Sequence, residues 1–243
     1  MIFTTKNKKI NGPVSIKISN HEIEKVDHTK FLGVVIDDKL NWAYHIKSIK
    51  TKIAKGIGVI CKARRLLDKK TLTTLYYSFI YPYLHYGITA WGDTYDTYLD
   101  PLFKLQKRVI RIISSACRDA HTQPLFKELK ILDLSHVYSL NVMMFMFKFN
   151  HGLLPDVFGN MFMLSSAINH ERFSRHANLL YSQYYRLDIV KQGIRIQGER
   201  HWNYMLDKID IICSPATYKF HLKRFLLNAT EDLRQSIERM HPT

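Results

Sequence analysis

The chain has 243 residues, 46% of them hydrophobic, with 36 Lys+Arg against 21 Asp+Glu and a formal net charge of +15. That length buries one ordinary core or two small ones and excludes a wholly disordered chain, while 10 Gly and 7 Pro exclude a fibrous one. A surplus of cations this large favours a polyanionic partner, nucleic acid first and acidic membrane second.

The charge is concentrated at the front, where residues 1–70 hold 16 Lys+Arg and 6 Asp+Glu. Cys61, Cys117 and Cys213 stand far apart with no C-x-x-C pair, which argues against a disulfide framework or a cysteine-built zinc site and fits a reducing compartment. The first residues lack the apolar region of a signal peptide. The most apolar stretch, 137–149, has 13 residues, short of the roughly 20 that cross a bilayer. These features predict an intracellular protein, nuclear or cytoplasmic, with no membrane partner and no secretion.

In chain order, Val14-Ser15-Ile16-Lys17-Ile18 alternates apolar and polar residues with period two, as does Glu22-Ile23-Glu24-Lys25-Val26. With Ser19-Asn20-His21 between them they predict a hairpin. Phe31-Leu32-Gly33-Val34-Val35-Ile36 is a continuous apolar run, which predicts a buried strand with Gly33 at a bulge or a close backbone approach. The period then changes. Trp42, Ile46, Ile49, Ile53, Ile57 and Ile60 recur every three or four residues and predict a helix over 42–66 with Asn41 as its N-cap. Lys47, Lys55, Lys62 and Arg65 fall on the opposite side of that helix, with Lys50 and Lys52 on the flanks. Arg64 falls on the apolar side, so the helix should end near it.

Further helices are predicted over 70–81, ended or kinked at Pro82, over 98–117, and over 134–149, stopping at His151-Gly152. A last one runs through residue 227, with Ser214-Pro215 as its cap and first turn. Residues 156–192 show no sustained period. The expected fold class is mainly α: a short β-rich start, then helical bundles.

For chemistry, the pair Asp37-Asp38 invites comparison with the metal-binding aspartates of polymerases. No third aspartate stands on a preceding strand, and a helix follows, so the pair reads as a solvated strand end leading into a helix cap. The 12 histidines form no H-x-x-x-H or H-E-x-x-H site. His45 and His85 read as satisfied core or surface groups. No phosphate loop and no nucleophile elbow is present, so neither catalytic nor metal-binding residues are assigned. The candidate nucleic-acid-binding set is Lys47, Lys50, Lys55, Lys62 and Arg65, spaced to follow one strand of phosphates. The bland reading, a solvated helix face, stands beside it. The aromatic run Tyr76-Tyr77-Ser78-Phe79-Ile80-Tyr81-Pro82-Tyr83 can stack bases, but packing is its commoner use.

Phe31-Leu32-Gly33-Val34-Val35-Ile36-Asp37, followed by Leu40, Trp42, His45 and Ile46, begins a series of matching blocks. The series continues through Leu75 to Gly87, Trp91-Gly92, Leu105 to Ile113, Pro124 to Leu129, Phe147 to Asn150, Leu153-Leu154-Pro155, Ile194 to Gly198, Trp202-Asn203 and Phe220 to Leu226. In order and spacing it resembles the C-terminal part of reverse transcriptases of non-LTR (LINE-type, jockey-like) retrotransposons.

The resemblance implies that residues 1–40 are the β-rich end of a palm, with Phe31, Leu32 and Gly33 in a primer-grip-like strand. It implies a thumb-like helical region over 41–120 and a C-terminal helical region over 121–243. It implies nucleic acid, RNA or an RNA–DNA duplex, as partner, together with an upstream palm and fingers in the parent polyprotein. The family's catalytic aspartates would lie upstream, so this fragment would be inactive alone and hold no cofactor, where a full-length enzyme would use Mg. The alternative is a non-enzymatic helical protein-interaction module with no nucleic-acid role.

Overall fold

The computed structural model describes residues 1–4, 16–165, 179–181, 183–209, 211–229 and 237. Val14 and Ser15 of the first expected strand, and residues 166–178 and 182 of the aperiodic stretch, lie outside that set. The architecture is mainly α with two small antiparallel hairpins at the front, as the sequence patterning predicts.

In the first hairpin, β1 (Lys17–Ile18) faces β2 (His21–Glu22), with Lys17 opposite Glu22. Ser19 and Asn20 form its two-residue turn, both with positive φ (48° and 65°), the geometry that matches the twist of paired strands. The hairpin is therefore found, with a tighter turn and shorter strands than expected.

The buried strand expected over 31–36 is instead a second hairpin. β3 (His28–Phe31) pairs with β4 (Val34–Asp37), Phe31 lying opposite Val34, and Leu32-Gly33 is the turn. Both turn residues have positive φ, 46° and 85°. Glycine accepts this freely and leucine does not, so the turn depends on an outside hold: the Tyr86 hydroxyl donates to the Leu32 carbonyl at 2.5 Å. A Cβ on Gly33 would also lie 3.3 Å from the Tyr86 ring. Gly33 is thus at a close approach, in a turn rather than a bulge. Phe31 and Leu32, expected in a buried strand, are 60% and 75% exposed.

Helix α1 (Ala43–Ala63) follows, ending with Arg64 as its C-cap where the wheel puts Arg64 on the wrong side. Next come α2 (Lys69–Phe79), α3 (Tyr81–His85) and α4 (Ile88–Trp91), with the break at Ile80 and Pro82 in the first turn of α3. α5 (Asp96–Ile113) carries Pro101 near its start, and α6 (Thr122–Leu129) was not signalled by periodicity. α7 (Leu134–Asn150) begins where the Asp133 carboxylate accepts from the His136 N–H at 2.9 Å. After a 3-10 turn at Asp156–Phe158 come α8 (Asp188–Lys191), α9 (Ile194–Met205) and α10 (Pro215–Asn228). Ser214 Oγ accepts from the Thr217 N–H at the start of α10, the predicted cap.

One buried apolar cluster runs through the chain from Ile46 to Ile237. α1 packs on α5, α2 and α3, while α7 packs on α4, α9 and α10. Trp91, Tyr76, Tyr218 and Phe147 are among its largest fully buried side chains. Two chain segments meet at a buried amide: Gln106 Nε2 donates to the Tyr76 hydroxyl at 2.9 Å and to the Leu132 carbonyl at 3.0 Å. The Trp91-Gly92 block has a packing explanation. Trp91 Nε1 donates to the Tyr86 carbonyl, and a Cβ on Gly92 would stand 2.5 Å from Tyr138 and 2.6 Å from the Ile88 carbonyl oxygen. Trp202 is buried and Phe225 packs against the core.

Candidate nucleic-acid interface

The candidate interface begins with how α1 is started. Asp37 ends β4 and is 1% exposed. Its Oδ2 accepts from the Trp42 N–H at 2.7 Å, and its Oδ1 from the N–H groups of Asn41 at 3.0 Å and Lys39 at 3.2 Å. The carboxylate is therefore the cap of the turn into α1, buried rather than solvated as the sequence suggested. Asn41 is not the N-cap residue. Trp42 holds that position with positive φ, and the Asn41 side chain accepts from the Ala43 N–H instead. Thr94, just before α5, donates to the Asn41 carbonyl at 3.0 Å and ties the starts of α1 and α5 together.

Among the described residues no group of three or more His, Cys, Asp or Glu can hold a metal ion. Asp37 is committed to three backbone donors. The described residues therefore do not fit the magnesium site of a polymerase.

His45 fixes the other side of the junction. Its Nδ1 accepts from the Val35 N–H at 3.3 Å, so the neutral ring carries its proton on Nε2. Burial, with a smaller push from Lys52, lowers its pKa from 6.5 to about 4. His28 stacks on Tyr44 at 4.2 Å between ring centroids. Hairpin and helix are thus joined at three points: the Asp37 cap, the His45 acceptor and this stack.

The inner face of α1 buries Ile46, Ile49, Ile53, Ile57 and Ile60, each contributing about 2 kcal/mol by burial. The outer face carries Lys47, Lys50, Lys52, Lys55 and Lys62, all exposed, and the helix contains no acidic residue. None of the five is ion-paired with a described residue. Lys52 lies 5.4 Å from the centre of the Tyr83 ring, a cation–π contact. A Cβ on Gly58 would meet nothing within 4 Å, so this side is open. Arg65 is exposed but lies in the turn after α1 rather than on the helix.

Lys47, Lys50, Lys55 and Lys62 are all exposed on α1, with Lys50 on the flank of the isoleucine face, and Arg65 follows in the turn just beyond the helix. Phe31, Leu32 and Gly33 sit apart from that row, at the tip of the second hairpin. The aromatic run divides: Tyr76 and Ile80 are core, while Tyr77, Phe79 and Tyr83 keep exposed faces, as does Tyr86 beyond the run.

No protein-family model and no solved structure matches the chain. Three curated proteins are similar to it. Over 133 residues it is 26% identical to a probable RNA-directed DNA polymerase from transposon X-element of Drosophila melanogaster, covering 53% of this chain. Over 106 residues it is 30% identical to the RNA-directed DNA polymerase from mobile element jockey of the same fly, covering 42% of the chain. The jockey polymerase of Drosophila funebris is 28% identical over 120 residues, or 48% of the chain. The matched segments span only 14%, 12% and 13% of those relatives. Over about half its length, then, this chain is similar to the RNA-directed DNA polymerases of non-LTR, jockey-like retrotransposons.

Proposed function

We propose that this chain is the template–primer-holding part of such a polymerase. On this reading residues 1–40 are a palm edge, 41–120 a thumb and 121–243 a following helical region. Lys47, Lys50, Lys55, Lys62 and Arg65 contact phosphates of an RNA–DNA hybrid, and Phe31, Leu32 and Gly33 support the primer end. The chain holds the duplex, while bond formation belongs to carboxylates and magnesium in the upstream palm.

The observation that carries the reading is the exposed lysine row of α1, with no acid in the helix and no ion pair to a described residue. Lys47 and Lys62 are fifteen residues apart, about 22 Å along the axis, which spans roughly six phosphates of one strand at ~3.4 Å each. The isoleucine face ties the row to the core, so its spacing is held. The exposed apolar residues Ile16, Ile18, Phe31 and Leu32 on the two hairpins suit an edge that packs against further polymerase.

Fluorescence anisotropy with a labelled RNA–DNA hybrid at 50–200 mM salt tests the proposal. Replacing Lys47, Lys55 and Lys62 by Gln should weaken binding equally across sequences and flatten the log–log salt slope by about 2.7, three phosphates' worth. Lys148→Glu, an exposed change on α7, should alter neither. Unchanged affinity and slope in the triple variant would overturn the assignment of this face and favour a protein-interaction module.

A further inference from the structure

α1 and α5 run side by side in the same direction: their starts are joined by Thr94 and Asn41, and their ends enclose an open cleft of 720 Å³. Arg64 from the end of α1 meets Arg108 and Arg111 from α5 and Arg118 from the following loop, with Asp119 the one acid in the lining. We propose that this cleft is a second phosphate-binding site, which takes a run of single-stranded nucleic acid. The proposal stands on the cleft's own residues and does not require the lysine row to hold a duplex.

The electrostatics ask for an anion. Four guanidiniums against one carboxylate leave a surplus of three positive charges. The two helix C-termini that face the cleft supply roughly −0.5 each, so about +2 remains. Nothing described absorbs it: none of the four arginines forms an ion pair with a described residue. Among the described residues only Arg111 of the four has a protein acceptor, its Nε donating to the Ala120 carbonyl at 3.0 Å. That bond also pins the loop. Ser115 turns it with positive φ (52°), and the Ala116 N–H donates back to the Arg111 carbonyl at 3.0 Å. The chain turns there, and Arg118 joins Arg108 in the lining of the cleft. Arg111 is thus held in place before any ligand arrives, while Arg64, Arg108 and Arg118 are exposed and free to close on one.

Chemistry and size narrow the ligand. Guanidinium groups match phosphate oxygens with two parallel donors and also stack on planar rings. The volume falls within the ~300–1,000 Å³ of ordinary ligand sites, which gives room for a nucleotide unit rather than a bare phosphate. Ile112 and Ala116 add an apolar wall for a base or sugar. At 720 Å³ the cleft is too small for the width of a duplex, whereas a single strand can lay one nucleotide unit into it.

Cys61 lines the cleft and is exposed, which makes it a built-in reporter. Its alkylation rate is read by peptide mass spectrometry with and without a twelve-nucleotide oligothymidylate, using Cys213, which does not line the cleft, as internal reference. At ten times the dissociation constant, Cys61 alkylation should slow about tenfold and Cys213 should not change. Replacing Arg108 and Arg118 by Gln should abolish the protection with the helical circular-dichroism signal unchanged. Replacing Lys47, Lys50 and Lys55 by Gln should leave it intact. Should the arginine pair fail to fold, the wild-type comparisons decide. Equal protection by inorganic phosphate or by a blunt duplex at matched phosphate concentration would overturn the single-strand assignment. Cys61 reacting at its free rate while the oligonucleotide is bound would overturn the site.

Discussion

Asp37 separates two kinds of chemistry that the same residue pair could perform, and its removal has a calculable cost. In Asp37→Ala, the N–H groups of Trp42, Asn41 and Lys39 lose their acceptor at 2.7, 3.0 and 3.2 Å. A hydrogen bond to a charged group contributes about 1.5–3 kcal/mol. Counting only the two shorter bonds, and allowing water to reach part of the opened turn, the net loss is about 3 kcal/mol. For a chain of this size that is roughly 6–12 °C in melting temperature. Asp37→Asn should lose less, about 2 kcal/mol, because one oxygen remains to accept while its amide confronts a donor. Asp38→Asn should stay within about 0.5 kcal/mol, since the Asp38 side chain accepts no backbone bond of this kind from a described residue. Urea unfolding followed by circular dichroism reads all three, and added magnesium should leave the order unchanged. A loss below about 1 kcal/mol in Asp37→Ala would refute the capping role. Stabilisation of wild type by magnesium that vanishes in Asp37→Asn would restore the metal-ligand reading.

His45 makes stability depend on acid. Its ring titrates near 6.5 when unfolded and near 4 when folded, so its contribution is full above pH 6.5 and is lost as the pH falls through 4. The loss reaches at most about 3 kcal/mol. His45→Asn keeps an acceptor for Val35 and should unfold with a shallower pH dependence between 6.5 and 4; parallel profiles for the two proteins would rule the effect out. Gly92→Ala forces a Cβ against Tyr138 and the Ile88 carbonyl, and should cost about 1–3 kcal/mol by overpacking. A calorimetric scan checks it, and an unshifted melting temperature would contradict the close approach.

What was legible in the sequence was whatever repeats locally. The isoleucine period of α1, the apolar α7 and the Ser214-Pro215 start of α10 are each written in a few adjacent turns, and each forms close to its expected bounds. The Leu32-Gly33 turn was hidden because leucine signals no turn of this type; Tyr86, far along the chain, supplies the hold. α9 was hidden for a different reason. Its buried face includes Gln197, Glu199 and His201, so polarity there does not mark the outside. His201 bonds Ser139 and the Gln197 carbonyl, and those partners are what make its burial tolerable. The lysine row needed only a helical wheel. The arginine cleft needed the packing of α1 on α5, which no local pattern specifies.

The junction between hairpin and helix gives the lysine row its meaning. A row of cations on a loosely tethered helix would bind polyanions without placing anything, because helix and hairpin would turn independently. Here the Asp37 cap, the Val35–His45 bond and the His28–Tyr44 stack join the second hairpin to α1 at three points, and the Tyr86–Leu32 bond ties its tip to the end of α3. Two of these use polar groups buried away from water, where a lost partner costs more than the bond returns. The spacing between an apolar tip and a phosphate-length row of lysines is therefore set by the fold itself. Simple attraction to nucleic acid needs only the lysines, whereas holding one strand end in register against a second element needs this fixed spacing.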